Sequence, residues 1–85
     1  MSNKKPWYVY ILKCADNTLY TGVTVDVERR VNEHNTDNKL AAKYTRVRRP
    51  VELVYYEELE TRSLAGKREA EIKKLKRNEK VAMFN

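Results

Sequence analysis

Tyr10 and Tyr20 stand on either side of a short polar turn with matching parity, and Gly22 follows the second by two residues. Phenols in a strand are either bulky filler, the ordinary use of tyrosine in a sheet, or acid–base groups aimed into a cleft. A glycine inside a strand marks a bulge or a close backbone approach, so Gly22 leaves room beside Tyr20. Arg30 and His34 come next, one helical turn apart on the stripe Val27, Arg30, Val31, His34. An arginine on an inward stripe is costly to desolvate unless it is paired or lines a cleft. Two nitrogen-rich side chains on one apolar line suit a cleft that faces an anion; a snorkelling guanidinium and a packed core histidine are the bland alternatives.

The third chemistry is acidic. In "SLAGKREAEIKKLKR" the apolar face is set by Leu64, Ile72 and Leu75, and Glu69 and Glu71 flank it on opposite edges. Periodicity does not choose between them, and a solvated glutamate paired to Lys67 or Lys73 is the usual case. One carboxylate is enough for a catalytic Mg²⁺, an ion that keeps several waters and takes its remaining ligands from phosphate.

The charge balance points the same way. A net charge of +6 on 85 residues predicts a positive field and an anionic partner, nucleic acid first and anionic membrane second. Arg46, Arg48 and Arg49 in "TRVRRP", with Lys43 just before them, have no acidic neighbour until Glu52 and are the phosphate-contacting candidates. The single cysteine, Cys14, makes no intramolecular disulfide and has no metal-ligand spacing around it. It reads as a small core residue facing away from the phenols, in a protein of a reducing, cytoplasmic compartment. No stretch approaches the roughly 20 apolar residues of a membrane span, and the basic start "MSNKK" lacks a signal-peptide pattern.

These side chains need elements to position them. "YVYILKC", residues 8–14, is nearly all apolar, as in a strand buried on both faces. "LYTGVT" alternates, with Leu19, Thr21 and Val23 on one face and Tyr20, Gly22 and Thr24 on the other. A two-residue loop would put Tyr10 and Tyr20 on opposite faces of the hairpin. A three-residue loop, or one bulge, puts both phenols on the same face. "ADNT" favours the longer loop, because Asn17 tolerates the left-handed conformation that closes a type I turn. Asp26 caps a helix to about Asn35, and a short helix follows through "KLAAKY". "VELVYYEEL" is a third strand, Thr61 or Ser63 caps a helix to about Leu75, and a last helix spans Arg77 to Phe84. The order β-β-α-(α)-β-α-α describes one α+β domain over residues 1–85, core about 7–84, with a small three-stranded antiparallel sheet flanked by helices.

In this order the residues resemble the GIY-YIG endonuclease superfamily, and along the whole chain from Trp7 its small stand-alone bacterial members of the YhbQ/YazA type. Tyr8-Val9-Tyr10 stands where "GIY" would, and Tyr20-Thr21-Gly22 where "YIG" would. Arg30, His34 and the "REAEIK" context of Glu69 stand at the family's remaining positions. The closer match is carried by "YTGVT", "ERRVNEHN", "AAKYTRVRRPVELVYYEE" and "REAEIKKLKR". Two positions depart from the pattern: the first glycine is Tyr8, and a lysine that some members carry after "YIG" is Val23.

The resemblance implies metal-dependent hydrolysis of DNA phosphodiesters, structure-directed and linked to repair or recombination. A protein partner would supply specificity. Within it Glu69 would anchor a single Mg²⁺ or Mn²⁺ and Arg30 would bind the scissile phosphate. Tyr10, helped by His34, would deprotonate water, with Tyr20 orienting the network and Gly22 shaping the site. Two other readings remain open: a catalytically weak nucleic-acid-binding module on the same scaffold, and an adaptor that docks its basic face on an acidic protein.

Overall fold

The computed structural model describes residues 5–85; Met1 to Lys4, part of the basic start, lie outside the described residues. Its elements are β1 (Trp7–Lys13), β2 (Leu19–Thr24), α1 (Val27–Thr36), α2 (Lys43–Arg46), β3 (Glu52–Leu59), α3 (Arg62–Lys73) and α4 (Arg77–Ala82). The three strands form one antiparallel sheet in the order β2-β1-β3. The most apolar strand is therefore central, and Val9 to Leu12 are essentially inaccessible to solvent.

The hairpin register places Tyr10 opposite Gly22 and Leu12 opposite Tyr20, so both phenols share one face. The turn is the reason. Asn17 sits at φ 68°, and Cys14 N–H donates to the Thr18 carbonyl at 2.8 Å across the loop. Asp16 braces it by accepting from the Thr18 hydroxyl at 2.6 Å. An asparagine side chain makes the left-handed position affordable where most residues would be strained.

Each face of the sheet carries its own core. Val9 and Ile11 point to one side, against Ala65 and Ile72 of α3 with Met83 and Phe84 at the end of α4. Tyr10, Leu12 and Cys14 point to the other, with Val31 of α1, Tyr44 of α2 and Tyr20. Full burial of side chains such as Ile11 and Ile72 is worth about 1.5–3 kcal/mol each. A bulge in β3 reconciles the two faces: Ile11 pairs with Tyr55 but Leu12 with Leu53. Val54 is the extra residue, so Leu53 faces the tyrosine side while Val54 and Tyr55 face α3.

Three expectations shift. Cys14 is buried as a core residue, but it lies in the Tyr10 cluster and not opposite it, since its parity is that of Tyr10 and Leu12. The short helix begins at Lys43 and not near Lys39. Asp37 takes up the chain before it, accepting from the backbone N–H groups of Lys39 and Leu40. Leu64 is 43% exposed, and Ala65 with Ile72 forms the inward face of α3 instead. Asp26 caps α1 by accepting from Arg29 N–H, and Thr61 rather than Ser63 caps α3 through Leu64 N–H. Among the described residues no helix is long and apolar enough to cross a membrane.

Candidate active site

The tyrosine face of the sheet brings Tyr10, Tyr20 and His34 together. Tyr10 and Tyr20 ring centroids lie 6.4 Å apart, and His34 packs edge-on against Tyr20 at 5.3 Å. Gly22 makes this possible. A Cβ there would stand 2.5 Å from the Tyr10 hydroxyl oxygen and 2.7 Å from its Cζ, far inside contact distance. The space at Gly22 is thus occupied by the Tyr10 ring itself rather than left beside Tyr20.

His34 is fully buried yet fully hydrogen-bonded. Its Nε2 lies 2.8 Å from the Tyr10 hydroxyl and its Nδ1 2.6 Å from the Thr45 hydroxyl. Burial, with the charges of Arg30 and Arg49 nearby, lowers its pKa from 6.5 to about 4, so the ring is neutral at pH 7. Tyr10 shifts the other way. Burial, then Tyr20, pushes its phenol well above the usual 10.0; the Arg30 charge draws it back down, and the Glu69 charge pushes it up.

Arg30 reaches this cluster from α1, one turn before His34. Its Nη1 donates to Glu33 Oε1 at 3.0 Å and to the Leu40 carbonyl at 2.7 Å. Those bonds pin the guanidinium at the rim with its side chain 23% exposed. It is paired and lines the site at once, which offsets the cost of its inward position.

The two glutamates part company in space. Glu71 is exposed and pairs with Arg68 at 3.2 Å, part of a network with Glu57 and Tyr55 on the far face of the sheet. Glu69 is more sheltered and pairs with Lys73 at 3.2 Å. Among the described residues no three His, Cys, Asp or Glu side chains are grouped to hold a metal. A single carboxylate such as Glu69 suits only a hard cation that retains waters and takes its other ligands from phosphate oxygens.

The basic loop is more divided than its sequence implies. Arg49 is taken up by the fold: it donates to the carbonyls of His34 (2.7 Å) and Asp37 (3.0 Å) and to Asn38 Oδ1 (2.8 Å). Arg48 pairs with Asp16 at 3.1 Å, donates to the Tyr44 carbonyl, and lies 3.9 Å over the Tyr44 ring. Arg46 holds the Asn38 carbonyl with one nitrogen, and both it and Lys43 are exposed. Arg77 and Lys80 of α4 border a groove with Thr18, Leu19 and Tyr44, and Tyr44 stacks on Tyr20 at 5.9 Å. That groove brings further cations beside the site.

A groove of about 670 Å³ between α1 and β3 is a different place. It is lined by Tyr8, Val31, Leu53 and Tyr56 among others, with Asp26 and Glu28, carboxylates that repel a phosphate. Thr45 is the site residue that sequence reasoning missed. Its only signal was position, a hydroxyl inside a basic run, and helix periodicity over four residues is too short to orient it.

The sequence profile of the GIY-YIG catalytic domain matches residues 6–82. A UPF0213 protein of Syntrophus aciditrophicus is 55% identical over 77 residues, 91% of this chain and 87% of its own length. One from Staphylococcus saprophyticus is 50% identical over 78 residues, 92% of this chain and 93% of its own. Among solved structures, an E. faecalis protein determined by solution NMR aligns with TM-score 0.61 and 46% identity, covering 96% of this chain and 86% of that one. The UPF0213 protein of Bacillus halodurans aligns with TM-score 0.56 and 42% identity, over 91% and 80%. A profile match spanning almost the whole sequence, with relatives identical at half or more of their aligned positions, means that this chain belongs to the GIY-YIG catalytic-domain family, a family of nucleases.

Proposed function

We propose that the protein is a metal-dependent endonuclease that hydrolyses DNA phosphodiesters, directed by the structure of its substrate. The observation that carries this reading is the convergence of Tyr10, Tyr20 and His34 on one face, with the Arg30 charge brought to the same phenol from α1. A packing role explains a buried tyrosine; it does not explain why an arginine is brought to bear on it.

Arg30 binds the scissile phosphate through the face of its guanidinium not bonded to Glu33 and Leu40, and its charge meets the negative charge that grows in the transition state. Tyr10 accepts a proton from the attacking water, and Tyr20 orients that water from the neighbouring strand. Glu69 would hold a Mg²⁺ or Mn²⁺ ion, which when bound neutralises a non-bridging oxygen and the developing charge on the leaving oxygen. Lys43, Arg46, Arg77 and Lys80 contact the flanking backbone, a sequence-independent grip. Specificity for a branch, and any role in repair or recombination, would come from a protein partner.

The test is cleavage of duplex, branched and single-stranded DNA with Mg²⁺, Mn²⁺ or EDTA, using wild type, Tyr10→Phe, Glu69→Ala and Glu71→Ala of verified fold. The expected result is metal-dependent cutting that is lost in Tyr10→Phe and Glu69→Ala and kept in Glu71→Ala. Wild type that binds these DNAs and cuts none under any metal sinks the reading and leaves a nucleic-acid-binding module.

A further inference from the structure

Tyr10 is an awkward base. Its phenol is raised above its ordinary value by burial, so the phenolate is scarce at neutral pH, and a neutral phenol takes up a proton only if it gives its own away. Its hydroxyl lies 2.8 Å from His34 Nε2, with the Arg30 guanidinium also against it. Whether that nitrogen can take a proton depends on the tautomer, and the tautomer depends on what faces Nδ1.

Thr45 faces it. The Thr45 hydroxyl is buried with 0% exposure and makes two contacts, His34 Nδ1 at 2.6 Å and the Ala42 carbonyl at 3.0 Å. A carbonyl only accepts, so the single Thr45 proton goes to Ala42, and the Thr45 oxygen accepts from His34 Nδ1–H. The Ala42 carbonyl also accepts from Arg46 N–H at 3.0 Å, within the capacity of its two lone pairs. This assignment alone satisfies all three contacts of the chain Tyr10–His34–Thr45–Ala42. The Arg49 side chain anchors the backbone of His34, its Nε donating to the His34 carbonyl at 2.7 Å.

We propose that Thr45 is a positioning residue, fixing His34 as the Nδ1–H tautomer so that the Nε2 lone pair can take the Tyr10 phenolic proton as Tyr10 accepts one from the attacking water. The relay rests on the nuclease reading above; the tautomer does not. In the step, the water O–H bond breaks and its proton forms a new Tyr10 O–H bond. The original Tyr10 proton forms an Nε2–H bond, and the imidazole becomes a cation that still donates through Nδ1–H to Thr45. The water oxygen bonds to phosphorus, and the leaving oxygen departs with the electron pair of its P–O bond and takes a proton from solvent. His34 then returns its proton through Tyr10 to bulk water. A phosphate seated on Arg30 offsets the cationic field that disfavours imidazolium.

His34 is the chain's one histidine, so the experiment reads a single imidazole. Two-bond ¹H–¹⁵N correlation spectra of uniformly labelled protein at pH 7 distinguish the protonated ring nitrogen from the bare one. The expected result is protonated Nδ1 and bare Nε2 in wild type and Thr45→Ser. In Thr45→Val the ring moves toward the Nε2–H form, because a buried N–H without an acceptor is costly. Cleavage kinetics on the same proteins should show kcat lowered roughly 10- to 100-fold in Thr45→Val, KM unchanged, and recovery in Thr45→Ser. A wild-type spectrum with protonated Nε2 overturns the proposal even if Thr45→Val fails to fold. So does a folded Thr45→Val that keeps the wild-type tautomer. Wild type that shows the Nδ1–H form yet cuts no DNA overturns the nuclease reading and the relay with it, while the tautomer assignment stands.

Discussion

A buried neutral histidine makes the fold acid-sensitive in a window that can be calculated. In the unfolded chain His34 takes up a proton near 6.5, whereas the folded protein holds it neutral down to about pH 4. Between those values the unfolded state binds more protons, so stability falls as pH falls. Two-state linkage for one site with these two pKa values gives a loss of about 2 kcal/mol between pH 7 and pH 4.5. In a domain of this size that lowers Tm by on the order of 10 °C. Asp16 and Asp37, whose carboxyls are held low by hydrogen bonds to Thr18 and to the Leu40 and Lys39 amides, lose their contribution only below the usual carboxylate range. The window above pH 4.5 therefore reports His34. The assay is urea unfolding at half-unit pH steps for wild type and His34→Gln, with the wild-type His34 ring titrated in parallel by proton NMR. The expected outcome is a wild-type slope that steepens below pH 6.5 and is missing from His34→Gln. A ring that titrates near pH 6, or two parallel slopes, refutes the reasoning.

Gly22→Ala should displace the Tyr10 ring, since the new methyl would lie 2.5 Å from its hydroxyl oxygen. The expected effect is a loss of about 1–3 kcal/mol and of cleavage, checked by unfolding and by the DNA panel. Arg49→Met removes three donors from the α1 terminus and should cost about 2–3 kcal/mol while leaving the salt dependence of DNA binding unchanged. Lys43→Gln with Arg46→Gln should do the reverse, weakening DNA binding and reducing the salt slope by about 1–2, as read by fluorescence anisotropy across a salt series. Asn17→Gly should fold with little change, and Asn17→Ala should lose about 1–2 kcal/mol, because φ is 68° there; equal stabilities of the two would contradict the turn assignment.

The parts of the fold legible in the sequence are those where one local rule decides. Asn17 names the loop, the loop sets the register, and the register brings Tyr10 and Tyr20 to one face. The stripe of α1 places Arg30 and His34 together by period alone. What the sequence hides depends on tertiary partners. Glu69 and Glu71 are equivalent until the fold ties Glu71 to Arg68 and Glu57 and leaves Glu69 the more sheltered of the two. Arg49 looks like a phosphate ligand because nothing acidic is near it in the sequence, but its partners are uncharged: the His34 and Asp37 carbonyls and Asn38 Oδ1. Thr45 lies eleven residues from His34, and only the fold of the 37–42 loop joins them. The β3 bulge defeats alternation for the same reason: Val54 and Tyr55 share a face because β1 skips a partner.

The edge position of β3 has a consequence for what the molecule can pair with. Glu52 and Glu58 are exposed on that outer strand, and exposed Glu60 follows it directly. A second sheet that approached this edge to extend the hydrogen-bonded ladder would bring its backbone against a row of carboxylates, and their charge discourages edge-to-edge pairing.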